Sequence, residues 1–242
     1  MININEIELP EFTSLYEQYE NAGGVLSFHL FRISKNYLGK LSNDEYLKHL
    51  VVARQSLEKV HYLANFHGNQ LTSQSHLPEP LQINHEELSP SGVMINPEAF
   101  LGAYYDWDAK KPLIRGVQTE VNAYFPFDTI EKSENSIDMQ ARINAFTKKY
   151  GIERTSGAGF LYALLEPPYR LQLEENITIR GQFFLDISAV LFDELKDLEV
   201  YTWSTDCSKI FDAGKEWWGC FFWTVYNPAK DMYIGVIGSS TD

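Results

Sequence analysis

Read as a β-strand, residues 216–226 (EWWGCFFWTVY) put Trp217, Phe221, Trp223 and Val225 on one face and Trp218, Phe222 and Tyr226 on the other. Neither face is polar, so each must be covered by another element of the fold or by a partner. The chain then passes through Asn-Pro-Ala-Lys-Asp (227–231) into MYIGVIG. The two apolar runs read as a β-hairpin with a five-residue connection. In the expected register Tyr226 faces Met232 and Trp223 faces Gly235, where the missing side chain leaves room for the indole.

Helical periodicity is clearest over residues 42–68. Leu47, Leu50, Val51, Leu57, Val60, His61 and Ala64 recur on one face, Ser42 and Glu45 match a capping box, and Gly68 is the expected stop. A second helix is predicted over 136–150, with Met139, Ile143, Phe146 and Tyr150 as its stripe, Asn135 or Ser136 as its cap and Gly151 at its end. A third spans about 177–195, with Phe183, Ile187, Val190 and Leu191 inward and Gly181 costing about 1 kcal/mol relative to alanine.

Strand patterns fall on VLSFHLFRI (25–33), GVQTEVNAYF (116–125) and LEVYTWST (198–205). GFLYALL (159–165), short, continuous and closed by Pro167-Pro168, reads as a central strand. The sum is an α+β fold: an antiparallel or mixed sheet of about five or six strands, three or four helices packed on it, and a C-terminal hairpin. Residues 1–242 read as a single domain, with a long polar excursion at about 68–97.

Charge narrows the partners. Lys and Arg total 20 against 33 Asp and Glu, a formal net charge of −13. Such a field repels phosphate backbones and anionic headgroups, so neither nucleic acid nor a membrane is an expected partner. The basic pairs Lys110-Lys111 and Lys148-Lys149 are not interleaved with aromatic residues as a single-strand groove would be. Cys207 and Cys220 are the two cysteines, too few for a disulfide framework, and the N-terminal residues show no basic-then-apolar leader pattern. A cytoplasmic location is the expectation, which leaves the sequon at Asn176 without meaning.

Candidate chemistry is sparse. The six histidines form no metal-binding spacing, and His61 on the apolar helical stripe reads as a hydrogen-bonded core residue. Asp106 and Asp108 lack the rest of a calcium loop. Thr155 to Gly159 (TSGAG), expected between a helix and a strand, is in the wrong context for a phosphate loop and reads as a tight turn. No nucleophile motif is present, so no metal or cofactor is expected. The densest region is 203–219, where Asp206, Asp212 and Glu216 lie between Trp203 at one end and Trp217 and Trp218 at the other. Carboxylates bracketed by indoles suit a sugar, a cation or acid/base hydrolysis. The structural alternative is a capped turn at Asp206, a turn at Asp212 and core tryptophans.

Two functional readings follow. One is a non-catalytic acidic protein that binds a basic protein partner, an inhibitor or immunity-like factor in its sharpest form. The other is a small-molecule or carbohydrate binder or hydrolase that uses the Trp203–Trp218 region.

Overall fold

The computed structural model describes residues 4–34, 44–71, 80–102, 105–108, 110–115, 124–126, 159–169, 171–173, 177–216 and 218–240. Its strands are β1 (Ile4–Glu6), β2 (Leu26–Ile33), β3 (Val93–Ile95), β4 (Tyr105–Asp106), β5 (Lys111–Arg115), β6 (Tyr124–Pro126), β7 (Glu199–Thr202), β8 (Cys220–Asn227) and β9 (Met232–Ser239). Six of them form one antiparallel sheet in the order β1-β2-β9-β8-β7-β3, and β4, β5 and β6 form a smaller one. The α-helices are α1 (Pro10–Asn21), α2 (Glu45–Leu71), α3 (His85–Leu88), α4 (Pro97–Leu101), α5 (Phe160–Leu165) and α6 (Ile177–Leu191). The fold is α+β and carries the C-terminal hairpin, β8–β9.

Both faces of the large sheet are covered. Phe221, Trp223 and Val225 of β8 join Phe28 and Leu30 of β2 and Ile234 and Val236 of β9 in a core closed by α1, α4, α5 and α6. On the opposite face Phe222 and Ile237 pack against Leu50, Ala53 and Leu57 of α2, while Phe31 and Tyr233 meet its Val52. Each large aliphatic side chain buried in this way stabilises the fold by roughly 1.5–3 kcal/mol. Trp218 departs from the expected alternation. It belongs with Phe221 and Trp223, because β8 starts only at Cys220 and Gly219 before it has φ +123.

The hairpin register is one residue away from the expected pairing. Tyr226 faces Tyr233, Trp223 faces Val236, and Asn227 pairs with Met232, which leaves a four-residue connection, Pro228 to Asp231. The reason lies in α2. Gly235 faces Thr224, and a Cβ on Gly235 would lie 1.8 Å from Ser56 Oγ, so the glycine makes room for the helix rather than for an indole.

α2 forms where the periodicity placed it. Its cap is Asp44, whose side-chain oxygen accepts the Leu47 N–H at 3.2 Å; Ser42 lies outside the described residues. The helix runs through Gly68 to Leu71, since one glycine costs only about 1 kcal/mol in an established helix. α6 ends at Leu191, short of the expected 195, because Asp193 adopts φ 56 and its N–H turns back to Ser188 O.

GFLYALL is a helix, α5, and not the expected central strand. Five of its six residues are buried, and a wholly apolar run has no period to separate helix from strand. Gly159 accordingly opens a helix, where the sequence predicted entry into a strand. The predicted helix over 136–150 and residues 116–123 of the predicted strand lie outside the described residues. Within the polar excursion, residues 80–97 form α3, capped by Asn84, and the edge strand β3.

Candidate functional site

The region 203–219 winds from one face of the large sheet to the other. Trp203 continues the ladder past β7, donating its main-chain N–H to Phe222 O at 2.9 Å. Its indole turns toward α2, 4 % exposed, beside Tyr46, Tyr201 and Phe222. The indole N–H donates to Thr224 Oγ1 at 2.9 Å. Gly92 makes this possible, since a Cβ there would lie 2.6 Å from the indole ring.

Three short 3₁₀ turns follow, at Thr205–Cys207, Lys209–Phe211 and Gly214–Glu216. Ser204 Oγ accepts the Asp206 N–H and Ser208 Oγ the Ile210 N–H, so the capping groups are serines, not the Asp206 carboxylate. Cys207 and Phe211 point inward beneath α2, and His61 Nε2 meets Ser208 Oγ at 2.7 Å. Burial pushes the Cys207 thiol up to about 11, which disfavours the thiolate a nucleophile needs. Burial likewise lowers the pKa of His61.

The carboxylates point the other way. Asp206, Asp212 and Glu216 are exposed, and Lys215 Nζ reaches Asp206 at 2.7 Å and Asp212 at 3.3 Å. The hydrogen bond to Asp206 is the main influence raising the Lys215 pKa. This one ammonium offsets half of the charge of the two aspartates, which remain in solvent.

Trp218 is 7 % exposed and sits in the core opposite Trp203, its ring 4.9 Å from that of Phe221. Its N–H donates to Glu166 O at 2.7 Å. Trp217 lies outside the described residues. The connection therefore does not bring Trp203 and Trp218 together: they occupy opposite faces of the sheet, each packed and each with its N–H satisfied. Among the described residues, no group of three or more His, Cys, Asp or Glu side chains is placed to hold a metal ion.

The chain matches no protein-family model, no curated protein and no solved structure.

Among the described residues there is an ionisable cluster that sequence spacing does not reveal. Where the first turns of α2 meet β7, β8 and β9, Glu45, Lys48 and His49 come against Glu199, Tyr201, Tyr226 and Tyr233. His49 Nδ1 is 2.8 Å from Thr224 Oγ1, and its ring is 4.5 Å from that of Tyr201 and 5.4 Å from that of Tyr233. Tyr233 donates to Glu45 at 3.4 Å, and Lys48 pairs with Glu45 at 2.5 Å. Burial, then the charge of Glu45, raises the Glu199 carboxyl; burial, then Asp231, pushes Tyr226 up to about 12. Burial, then Lys48, drives His49 down to about 3. His49 is nevertheless fully buried, so a substrate has no contact with it. Its role is to seat α2.

Acidity is unevenly placed along the chain. No Lys or Arg occurs from Val60 to Ala109, a stretch that holds Glu79, Glu86, Glu87, Glu98, Asp106 and Asp108. Glu86, Glu87 and Glu98 are exposed, in the segments that precede and follow β3. Elsewhere a shallow depression of about 520 Å³ runs along α1, lined by Ser14, Glu17, Gln18, Asn21, Ala22, Gln172 and Leu173.

Proposed function

We propose that this protein is a non-catalytic acidic binding factor whose partner is a basic protein, in the manner of an inhibitor or an immunity factor acting in the cytoplasm. One observation carries the reading: the Trp203 and Trp218 indoles are packed in two separate internal cores, whereas Asp206, Asp212 and Glu216 between them, and Glu86, Glu87 and Glu98, stand in solvent. A net charge of −13 spread in this way steers a cationic surface toward the molecule and raises the encounter rate. The buried Cys207 thiol and the enclosed His49 supply no accessible nucleophile–base pair.

Affinity capture from a lysate of the protein's source, at low and moderate salt, tests this when followed by kinetics on the purified pair. A stoichiometric basic protein, lost as salt rises, is the expected result. Its association rate falls roughly tenfold or more in a Glu86→Lys/Glu87→Lys variant. An association rate indifferent to both salt and charge reversal sinks the proposal.

A further inference from the structure

The two edges of the large sheet are finished differently. β1 carries Glu6, which pairs with Lys59 of α2 at 2.5 Å and places a charge on the strand itself. β3 carries none. Its residues are Val93, Met94 and Ile95, and among the described residues only β7 pairs with it, through Val93–Thr202, Met94–Tyr201 and Ile95–Val200. Val93 is 57 % exposed and Met94 60 % exposed. Natural sheets blunt such an edge with a short strand, a charge, a proline or a bulge, since its unpaired main-chain groups are a template for another strand; β3 is short, at three residues, but carries neither charge nor proline.

This edge is also held in shape. Ser91 Oγ accepts the Ser204 N–H at 3.1 Å on one side, and on the other Asn96 caps α4 by accepting the Ala99 N–H at 2.7 Å. Gly92 lies against the rings of Trp203 and Tyr46, and the Tyr46 hydroxyl donates to Ser89 O. A strand fixed at both ends loses little conformational freedom when a second strand joins it.

The surroundings select the chemistry of the guest. Glu86 and Glu87 of α3 and Glu98 of α4 are exposed in the segments that lead into and out of β3, and Glu199 stands half-buried where β7 begins. Lys48 is bound to Glu45, which leaves Arg54, donating to the neutral Ser89 Oγ at 2.7 Å, and Lys196, in the turn packed against α4, to set against these four carboxylates. A second copy of this chain would bring another −13 of charge to the same place, so charge disfavours it as the occupant.

We propose that the outer edge of β3 is a docking strand for an extended, lysine- or arginine-bearing segment of the partner protein, added to the sheet by main-chain hydrogen bonds. The proposal rests on the reading of the protein as a binder of a basic partner and names the surface that does it. Alternate residues of the guest would pack on Met94 on one face and on Val93 and Ile95 on the other, with cationic residues beside Glu86, Glu87 and Glu98.

The test uses the whole protein and a fluorescein-labelled heptapeptide that alternates lysine with threonine or valine. Its controls are the same peptide with glutamate for lysine and with alternate backbone nitrogens methylated. Saturable binding of the lysine peptide, with amide shifts at residues 92–96, is expected. Affinity should drop about tenfold in a Val93→Lys/Met94→Lys variant, and should be lost on N-methylation, which keeps the charge but removes the donors. Both substituted side chains are exposed, so circular dichroism should show an unchanged fold.

Absence of saturable binding, equal binding of the N-methylated or glutamate peptide, shifts confined to other amides, or a wild-type dimer that the double substitution dissolves would each overturn the proposal. The captured partner separates this inference from the broader reading. Equal, salt-sensitive capture by wild type and by the double variant overturns the docking edge and leaves the acidic binder standing. Salt-insensitive capture by both removes the two together.

Discussion

Thr224 Oγ1 lies under α2 with two nitrogens to satisfy, the Trp203 indole N–H at 2.9 Å and His49 Nδ1 at 2.8 Å. A hydroxyl accepts one hydrogen bond while donating another, so a single oxygen serves both. Thr224 is fully buried, and water has no route to replace it. Replacing it by valine keeps the shape and strands two buried polar groups, each at about 1–3 kcal/mol. Thr224→Val should therefore lower the unfolding free energy by about 2–4 kcal/mol, read from the urea midpoint at constant slope. A loss below about 0.5 kcal/mol would show that the network carries no net stability. His49 Nε2 is buried without a hydrogen-bond partner among the described residues, so this imidazole is already partly unsatisfied before any substitution.

α2 docks on the large sheet over two neutral imidazoles, His49 on its own inner face and His29 on β2. Burial, then Lys59, lowers the His29 pKa to about 4, and burial, then Lys48, lowers His49 to about 3. In the unfolded chain both take up a proton below about pH 6.5. Between that value and pH 4 the unfolded state binds more protons than the folded one, so stability falls as pH falls through this window. His29 alone contributes a loss on the order of 3 kcal/mol by pH 4. Urea midpoints measured across the window should decline in the wild type and decline less in His29→Leu. Parallel decline in the two would mean that the imidazole is not the sensor.

The element scale also shows how far the sequence could be read. α2 and α6 were legible because their apolar positions recur with the helical period, and β2, β7 and the hairpin because short runs rich in β-branched and aromatic residues are bounded by turn residues. α5 was not, since six apolar residues in a row are compatible with either conformation. The hairpin register escaped as well: both strands are apolar on both faces, so a slip of one residue exchanges one hydrophobic set for another. Ser56 on α2, pressed against Gly235, is what selects the observed pairing, and nothing in the hairpin's own residues records it.

Across the whole molecule, 13 more acidic than basic residues repel one another, and among the described carboxylates Glu86, Glu87, Glu98 and Glu216 are all exposed. Monovalent salt screens that repulsion over a distance of about 10 Å at 0.1 M. The folded protein should thus gain stability as salt rises from low to moderate strength, while its association with a basic partner weakens. Denaturant titrations at two salt concentrations check the first half; a midpoint that drops with added salt would mean that favourable ion pairs, such as Lys215 with Asp206, outweigh the repulsion.

By itself the sequence determined the fold class, the principal helix, the terminal hairpin and the acidic field, because period, turn chemistry and charge are local or additive properties. The tertiary structure decided which faces Trp203 and Trp218 serve. Trp203 and Trp218 are fifteen positions apart on one short connection, yet Gly219 and the start of β8 send them into different cores. It also assembled Glu45, His49, Glu199 and Tyr233 into one cluster and placed β3 at the sheet edge, paired among the described residues with β7 alone. Contacts between residues more than a hundred positions apart depend on the order in which strands lie side by side, and no window of the sequence contains that order.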